Sequence, residues 1–267
     1  MSGEKKRVLV TGVSRGIGRA IACILVEHGY EVYGTSRTPE RILPANRIEG
    51  VHYFSLDLAD YSGIDRLVDS VGPVDVLINN AGESHIGPLE EVTPSLVHSL
   101  FQTNLFSVMY LTNKIIPAMR EKKCGQIINI SSLADRFVVP FSAIYASTKH
   151  GLRGYSKGLR HELRSFGIYV TIICPYGIRS EKQPELFIKE GSPYREVLDR
   201  VMSLRSRRNV RAPGAEVVAR KVVKVLNKRA ARFSYPVGGI APLLAFLVKI
   251  FPQKPAERIE RRLFRLD

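Results

Sequence analysis

Residues Tyr145 to Lys149 read YASTK and put a phenol and an ammonium four positions apart. In a helix, positions i and i+4 share a face, so both heads can reach one site. A phenol ordinarily keeps its proton to about pH 10. A fixed cation beside it favours the phenolate and makes the phenol a better proton donor. That is the chemistry of a general acid working on a developing alkoxide. The same two residues would also suit a solvated helix face, so the rest of the chain must decide between these readings.

A second stretch, TGVSRGIG from Thr11 to Gly18, falls between a strand-like run and a helix-like run. Glycines there permit a tight turn and let backbone amides approach a phosphate at the helix N-terminus. The spacing is G-x-x-x-G-x-G and not the commoner G-x-G-x-x-G. The end of the second predicted strand, where NAD-binding chains carry an acid for the ribose, reads Thr35-Ser36-Arg37. It holds no carboxylate, and Arg15 supplies a second cation from within the glycine loop. Two planar guanidinium forks suit a 2′-phosphate, so NADP(H) is expected over NAD(H). Asp57, closing the third predicted strand, is expected at the adenine edge.

The elements that must position these residues follow from the apolar pattern. RVLVTG, EVYGTS, VHYFSL, VDVLINN, GQIINISS and IYVTIICP read as strands, and RFSYPVG holds the last one. Helical patterns run from Gly16 to about His28, with Gly29 at the end, from His98 to Lys123 with Pro117 inside, and from Ala143 to Gly167. Near-continuous apolar strands alternating with helices predict a doubly wound α/β fold with a parallel sheet covered on both faces. Neither repeats nor linkers break the chain, so one domain over residues 1–267 is expected.

Composition bounds the rest. With 267 residues, 45% of them hydrophobic and 24% charged, the chain suits a soluble globular protein. Its opening, MSGEKKRVLV, lacks the apolar core of a signal peptide, and no apolar run reaches bilayer length. Cys23, Cys124 and Cys174 have neither metal-ligand nor disulfide spacing, so no metal site and a reducing, cytoplasmic setting are expected, with each thiol packed in the core. The formal net charge of +15 is unevenly spread: from Arg200 onward there are 17 Lys or Arg against 4 Asp or Glu. An anionic partner and an ordinary basic surface both fit that asymmetry. Recognised nucleic-acid modules are lacking, so nucleic acid is not an expected partner.

With these pieces in order, the chain resembles the short-chain dehydrogenase/reductase family over roughly residues 5–235. TGVSRGIG is similar to its cofactor motif, NNAG (Asn79 to Gly82) to its fourth-strand motif, and YASTK to its Tyr-x-x-x-Lys active site. The family's serine lies 13 residues before the tyrosine, which picks Ser132 from the pair Ser131-Ser132, and Asn104 in QTNLF falls at its fourth catalytic position. The resemblance implies a Rossmann-type sheet and alcohol–carbonyl interconversion. Ser132 and Tyr145 would hold the substrate oxygen, Lys149 the nicotinamide ribose, and Asn104 a water of the proton relay. Implied cofactor contacts are Thr11, Gly12, Ser14, Arg15, Gly16, Ile17, Gly18, Ser36, Arg37, Asp57, Leu58, Asn80, Ala81, Gly82, Tyr145, Lys149, Pro175, Ile178 and Ser180. One departure is Tyr176, which stands in CPYGIRS where the family has glycine, and is expected to reshape the pocket floor or shift the backbone by a residue.

Residues 179–213 are expected to form the substrate lid, with PELFIKE and YREVLDRVMSLRSRR as short helices. Leu186, Phe187, Leu198, Met202 and Leu204 either face an apolar substrate or pack the lid on the body. Residues 238–267 should form a helical tail resembling the retinoid and steroid branch of the family. That tail could cover the pocket, contact another subunit of a homodimer or homotetramer, or lie on an anionic membrane surface. Two rivals remain: a reductase of acyl groups on an acidic carrier protein, and a dinucleotide-sensing regulator without catalysis.

Overall fold

The computed structural model describes residues 5–179, 184–228 and 230–250. Strands β1 (Arg7–Val10), β2 (Glu31–Ser36), β3 (Val51–Ser55), β4 (Val76–Asn79), β6 (Gly125–Ile130), β7 (Ile168–Pro175) and β9 (Ser234–Val237) build one sheet in the order β3-β2-β1-β4-β6-β7-β9. Every pairing is parallel. Between β1 and β4 the order reverses direction, which opens a crevice at the C-terminal strand ends.

Strand alternation sorts the core into two layers. Val8, Val10, Val76, Ile78 and Ile128 face helices α1 (Gly16–Glu27) and α7 (Glu216–Leu226). Leu9, Leu77 and Ile127 face the opposite layer, made by α2 (Tyr61–Val71), α4 (Ser107–Glu121) and α5 (Ala143–Leu163). This two-sided burial is why the strands read as nearly unbroken apolar runs. A third cluster joins Leu133 and Phe137, after β6, to Val201 of α6 (Arg195–Val210) and to Ala241 and Ala245 of α8 (Ala241–Ile250).

Three local expectations are corrected. The long helical segment is split: α3 (Pro94–Phe101) passes into a π-helical turn, Gln102–Phe106, before α4 begins. PELFIKE is not a helix; Glu185–Leu186 is a short strand, β8, paired with β5 (His85–Ile86). Of the cysteines only Cys174 is buried; Cys23 is half-buried and Cys124 exposed. Pro117 is absorbed within the last turns of α4, as expected. Among the described residues no helix is long and apolar enough to cross a membrane.

Candidate active site

The turn after β1 has a shape that could admit a ligand's phosphate. Gly12 and Gly16 adopt φ of +75° and +57°, in the left-handed region that favours glycine. A Cβ at Gly18 would overlap the Gly12 carbonyl and the Asn80 carboxamide, so α1 can approach the turn this closely only with glycine there. Arg15, at the N-cap of α1, makes no side-chain capping bond and the first turn carries no acid. The helix therefore presents uncapped amides and the positive end of its dipole to the crevice. Thr11 fastens the turn from below: its hydroxyl accepts from the amides of Asn80 and Ala81, both at 3.0 Å. Asn80 in turn donates to the carbonyls of Thr11 (2.9 Å) and Gly12 (3.1 Å).

A cleft of about 640 Å³ runs from this turn along the strand ends. Ser14, Arg15, Gly16, Ile17, Gly18, Ser36, Arg37, Asp57, Leu58, Asn80, Ala81, Gly82 and Ile178 all line it, with Gly12 at its head. Arg37 lies 3.5 Å from Glu83 in an ion pair. Arg41, from the segment after β2, adds a cation to the same wall. Thr11 and Lys149 are absent from the lining, because both are buried behind it. Ser180 lies outside the described residues. The donor set, the guanidinium groups of Arg15, Arg37, Arg41 and Arg179 with uncapped helix amides around a glycine cradle, fits a phosphorylated dinucleotide.

A second cavity, of about 330 Å³, meets the cleft at Ile17 and Ile178, which line both. Ser132, Tyr145 and Pro175 line this cavity. Residues Lys149, Leu152, Ser156, Leu159 and Leu163 form the buried stripe of α5, so the YASTK lysine belongs to the core face and not to a solvated one. Its ammonium is 3.4 Å from the Ile130 carbonyl and 5.7 Å from the Tyr145 ring centroid. Burial pushes the Lys149 pKa down to about 8, against the opposing pull of the Asp135 carboxylate. The Tyr145 phenol is pushed up by burial, while hydrogen bonding to Ser132 and the Arg205 charge pull it back.

Asn104 sits in the π-helical turn and is 1% exposed. Its carboxamide accepts from the Glu83 amide (2.9 Å) and donates to the Glu83 carbonyl (2.9 Å) and the Thr148 hydroxyl (3.2 Å). These bonds tie the segment after NNAG to α5. A Cβ at Gly82 would come within 3.0 Å of the Asn104 side-chain oxygen and 3.7 Å of the Lys149 nitrogen, so Gly82 keeps that corner open.

Two buried networks hold the serine turn against α5. Asp135, fully buried, pairs with Arg136 (2.7 Å) and with Arg153 of α5 (3.2 Å). Asn79 donates to Asn129 (2.8 Å) and to Thr112 (3.1 Å), and Asn129 donates to Ser156 of α5 (2.8 Å). The first asparagine of NNAG thus serves the frame, and the second serves the glycine turn.

Several features were missed from sequence. None of Leu186, Phe187, Leu198, Met202 and Leu204 lines the second cavity; Leu198 is packed at 0% exposure. The segment instead contributes Pro184, Arg205 and Asn209. Arg205 lies inside the basic run RSRR, which reads as solvated charge. Tyr176 forms part of the cavity floor and meets Phe137 edge to face (6.2 Å, 88°), while the positive φ, +57°, is taken by Gly177 one residue on. The cavity wall at Phe137 and Tyr176 is backed by Ala241 and Ala245, so α8 closes it from behind.

Comparison with known proteins follows the same lines. Residues 6–191 match the model of the short chain dehydrogenase family. A short-chain dehydrogenase from Streptomyces avermitilis superposes with a TM-score of 0.83 at 32% identity, covering 98% of this chain and 97% of that one. A metagenomic short-chain oxidoreductase solved with NADP gives a TM-score of 0.67 at 30% identity, over 86% of this chain and 95% of that one. The 3-oxoacyl-(acyl-carrier-protein) reductase FabG of Salmonella typhimurium is 36% identical over 68% of this chain and 77% of its own length.

Proposed function

The chain belongs to the short-chain dehydrogenase family, and from that premise we propose that it is an NADP(H)-dependent oxidoreductase interconverting a lipophilic alcohol and its ketone or aldehyde. The observation that carries the reading is the junction of the two cavities: a glycine-cradled cleft opens at Ile17 and Ile178 into a cavity holding Ser132 and Tyr145. Preference for NADP(H) is supported by Arg15, Arg37 and Arg41 in the cleft wall, and by the NADP complex of a relative. A lipophilic substrate is supported by the wall of Phe137, Val139 and Tyr176.

When bound, the nicotinamide supplies the hydride to the carbonyl carbon, or accepts it from the alcohol. The Tyr145 hydroxyl gives its proton to the substrate oxygen, and the Ser132 hydroxyl donates a hydrogen bond to the same atom. Lys149 would hold a ribose hydroxyl of the cofactor and, as a cation, would lower the cost of leaving Tyr145 as a phenolate. Asn104 has both side-chain N–H groups committed to Glu83 and Thr148. Its main-chain carbonyl, in a turn where the i→i+4 ladder is broken, is therefore the atom we assign to a relay water.

In this reading residues 179–213 act as the substrate lid, the whole chain is one oxidoreductase domain, and it assembles as a homodimer or homotetramer in the cytoplasm. Exposed Leu243, Phe246 and Ile250 on α8, beside a basic C-terminal sequence, support peripheral contact with an anionic membrane. A second reading, reduction of ketoacyl groups on an acidic carrier protein, is favoured by that same basic surface and by the FabG likeness.

The test is NADPH oxidation across ketones and aldehydes graded by chain length, with carrier-linked ketoacyl substrates in parallel. Tyr145→Phe should lower kcat by about 10²–10⁴-fold and leave NADPH affinity nearly intact by fluorescence titration. Retained turnover in that variant sinks the assignment of Tyr145. Turnover only of carrier-linked substrates selects the second reading, and no turnover of anything in the wild type revives a sensing role.

A further inference from the structure

Among the described residues lining the cavity around Tyr145 and Ser132, one carries a guanidinium, Arg205. Arg205 projects from α6, and Asn209, one turn further along, lines the same cavity. A guanidinium stays charged at any pH the protein meets. Taking such a charge out of water is costly unless a counter-charge replaces the lost hydration. Arg205 is half-buried; burial pushes its pKa down, and among the described residues the titratable groups that act on it are Tyr145 and Tyr176, phenols that are neutral at ordinary pH and supply no counter-charge. Asp135, the carboxylate whose charge reaches Tyr145, is itself paired with Arg136 and Arg153.

We propose that Arg205 binds an anionic group of the substrate, a carboxylate or phosphate ester carried on an otherwise apolar carbonyl compound, and thereby decides which carbonyl compounds this chain accepts. The inference rests on the oxidoreductase reading above and names its substrate class. Arg205 and Tyr145 line one cavity of about 330 Å³, so the anion and the reacting oxygen belong to a single small molecule with a short apolar spacer. The planar fork of arginine matches either oxyanion through paired hydrogen bonds. A neutral analogue leaves the guanidinium uncompensated in its wall, which penalises the wrong substrate as well as rewarding the right one.

The test uses oxo-carboxylates, oxo-alkyl phosphates and methyl ketones of matched chain length, with NADPH, on the wild type, Arg205→Met and Arg205→Lys. The wild type should favour one anionic series over the ketones by about tenfold to hundredfold in kcat/KM, and the better series identifies the anion. Arg205→Met should bring that ratio close to one, and Arg205→Lys should keep part of it. A wild-type ratio near one for both anions, or an Arg205→Met variant that lowers all three series alike, overturns the proposal. If the wild type turns over none of the compounds, Arg205 is judged by binding, and the oxidoreductase reading fails only when the aldehydes and carrier-linked substrates above are left unreacted as well. The same compounds are then titrated onto the NADPH complex and read by cofactor fluorescence. Preferential binding of an anionic series that Arg205→Met loses upholds the site; equal binding by both proteins overturns it.

Discussion

Arg37 follows β2 with its guanidinium 3.5 Å from the Glu83 carboxylate, across the wall of the long cleft. The pair is exposed on the arginine side, so it stabilises the fold little; its consequence is for selectivity. Arg37→Glu would replace the fork by a carboxylate and leave two acids at one end of the cleft, repelling a 2′-phosphate and offering an acceptor to a free ribose hydroxyl. The ratio of kcat/KM for NADPH to that for NADH should fall by about tenfold to hundredfold; an unchanged ratio removes the charge argument. At this scale the sequence was informative where a residue's neighbours in space are its neighbours in chain, as in Thr11 to Gly18. Arg41 and Arg205 escaped because their meaning depends on which wall they join. A guanidinium in RSRR carries no local mark that separates a cavity cation from a solvated one.

The π-helical turn Gln102–Phe106 shows the same limit one scale up. The residue types do not mark it, because apolar residues continue through QTNLF and the whole segment has the pattern of one helix. The turn rotates Asn104 inward, where its carboxamide joins Glu83 to Thr148. Asn104→Asp keeps the size and the acceptor, but loses both donors and puts a charge in a site 1% exposed. It should cost about 1–3 kcal/mol by urea unfolding and reduce turnover sharply. Wild-type stability together with wild-type kcat would show that the bridge is dispensable. β8 is a harder case: two residues, Glu185–Leu186, form a strand only because His85–Ile86 lies alongside, and PELFIKE alone favours a helix turn. By contrast β7 was legible at both ends, because a strand buried on both faces must be apolar along its length.

For the whole molecule, burying Lys149 is a cost that pH can relieve. Its pKa in the fold is about 8, against about 10.4 in an unfolded chain. Between those values the unfolded chain binds the extra proton, so stability rises with pH across this window and the cost is complete below it. The full difference is about 3 kcal/mol. Cys174, pushed up to about 12, acts in the opposite direction above pH 9. It is common to wild type and variant, so the comparison is of differences. From pH 7.5 to 9.5 the wild type should gain on Lys149→Met by about 2 kcal/mol in urea unfolding; parallel curves would refute the buried-cation account. The two cavities also differ in when their walls exist during synthesis. Apart from Ile178 and Arg179, the lining of the long cleft has been synthesised once residue 103 is made. The second cavity waits for Arg205 and Asn209, and its backing waits for Ala241 and Ala245. A growing chain therefore carries the makings of its cofactor site well before it can enclose a substrate, and the nucleotide is available as a partner for the last steps of folding.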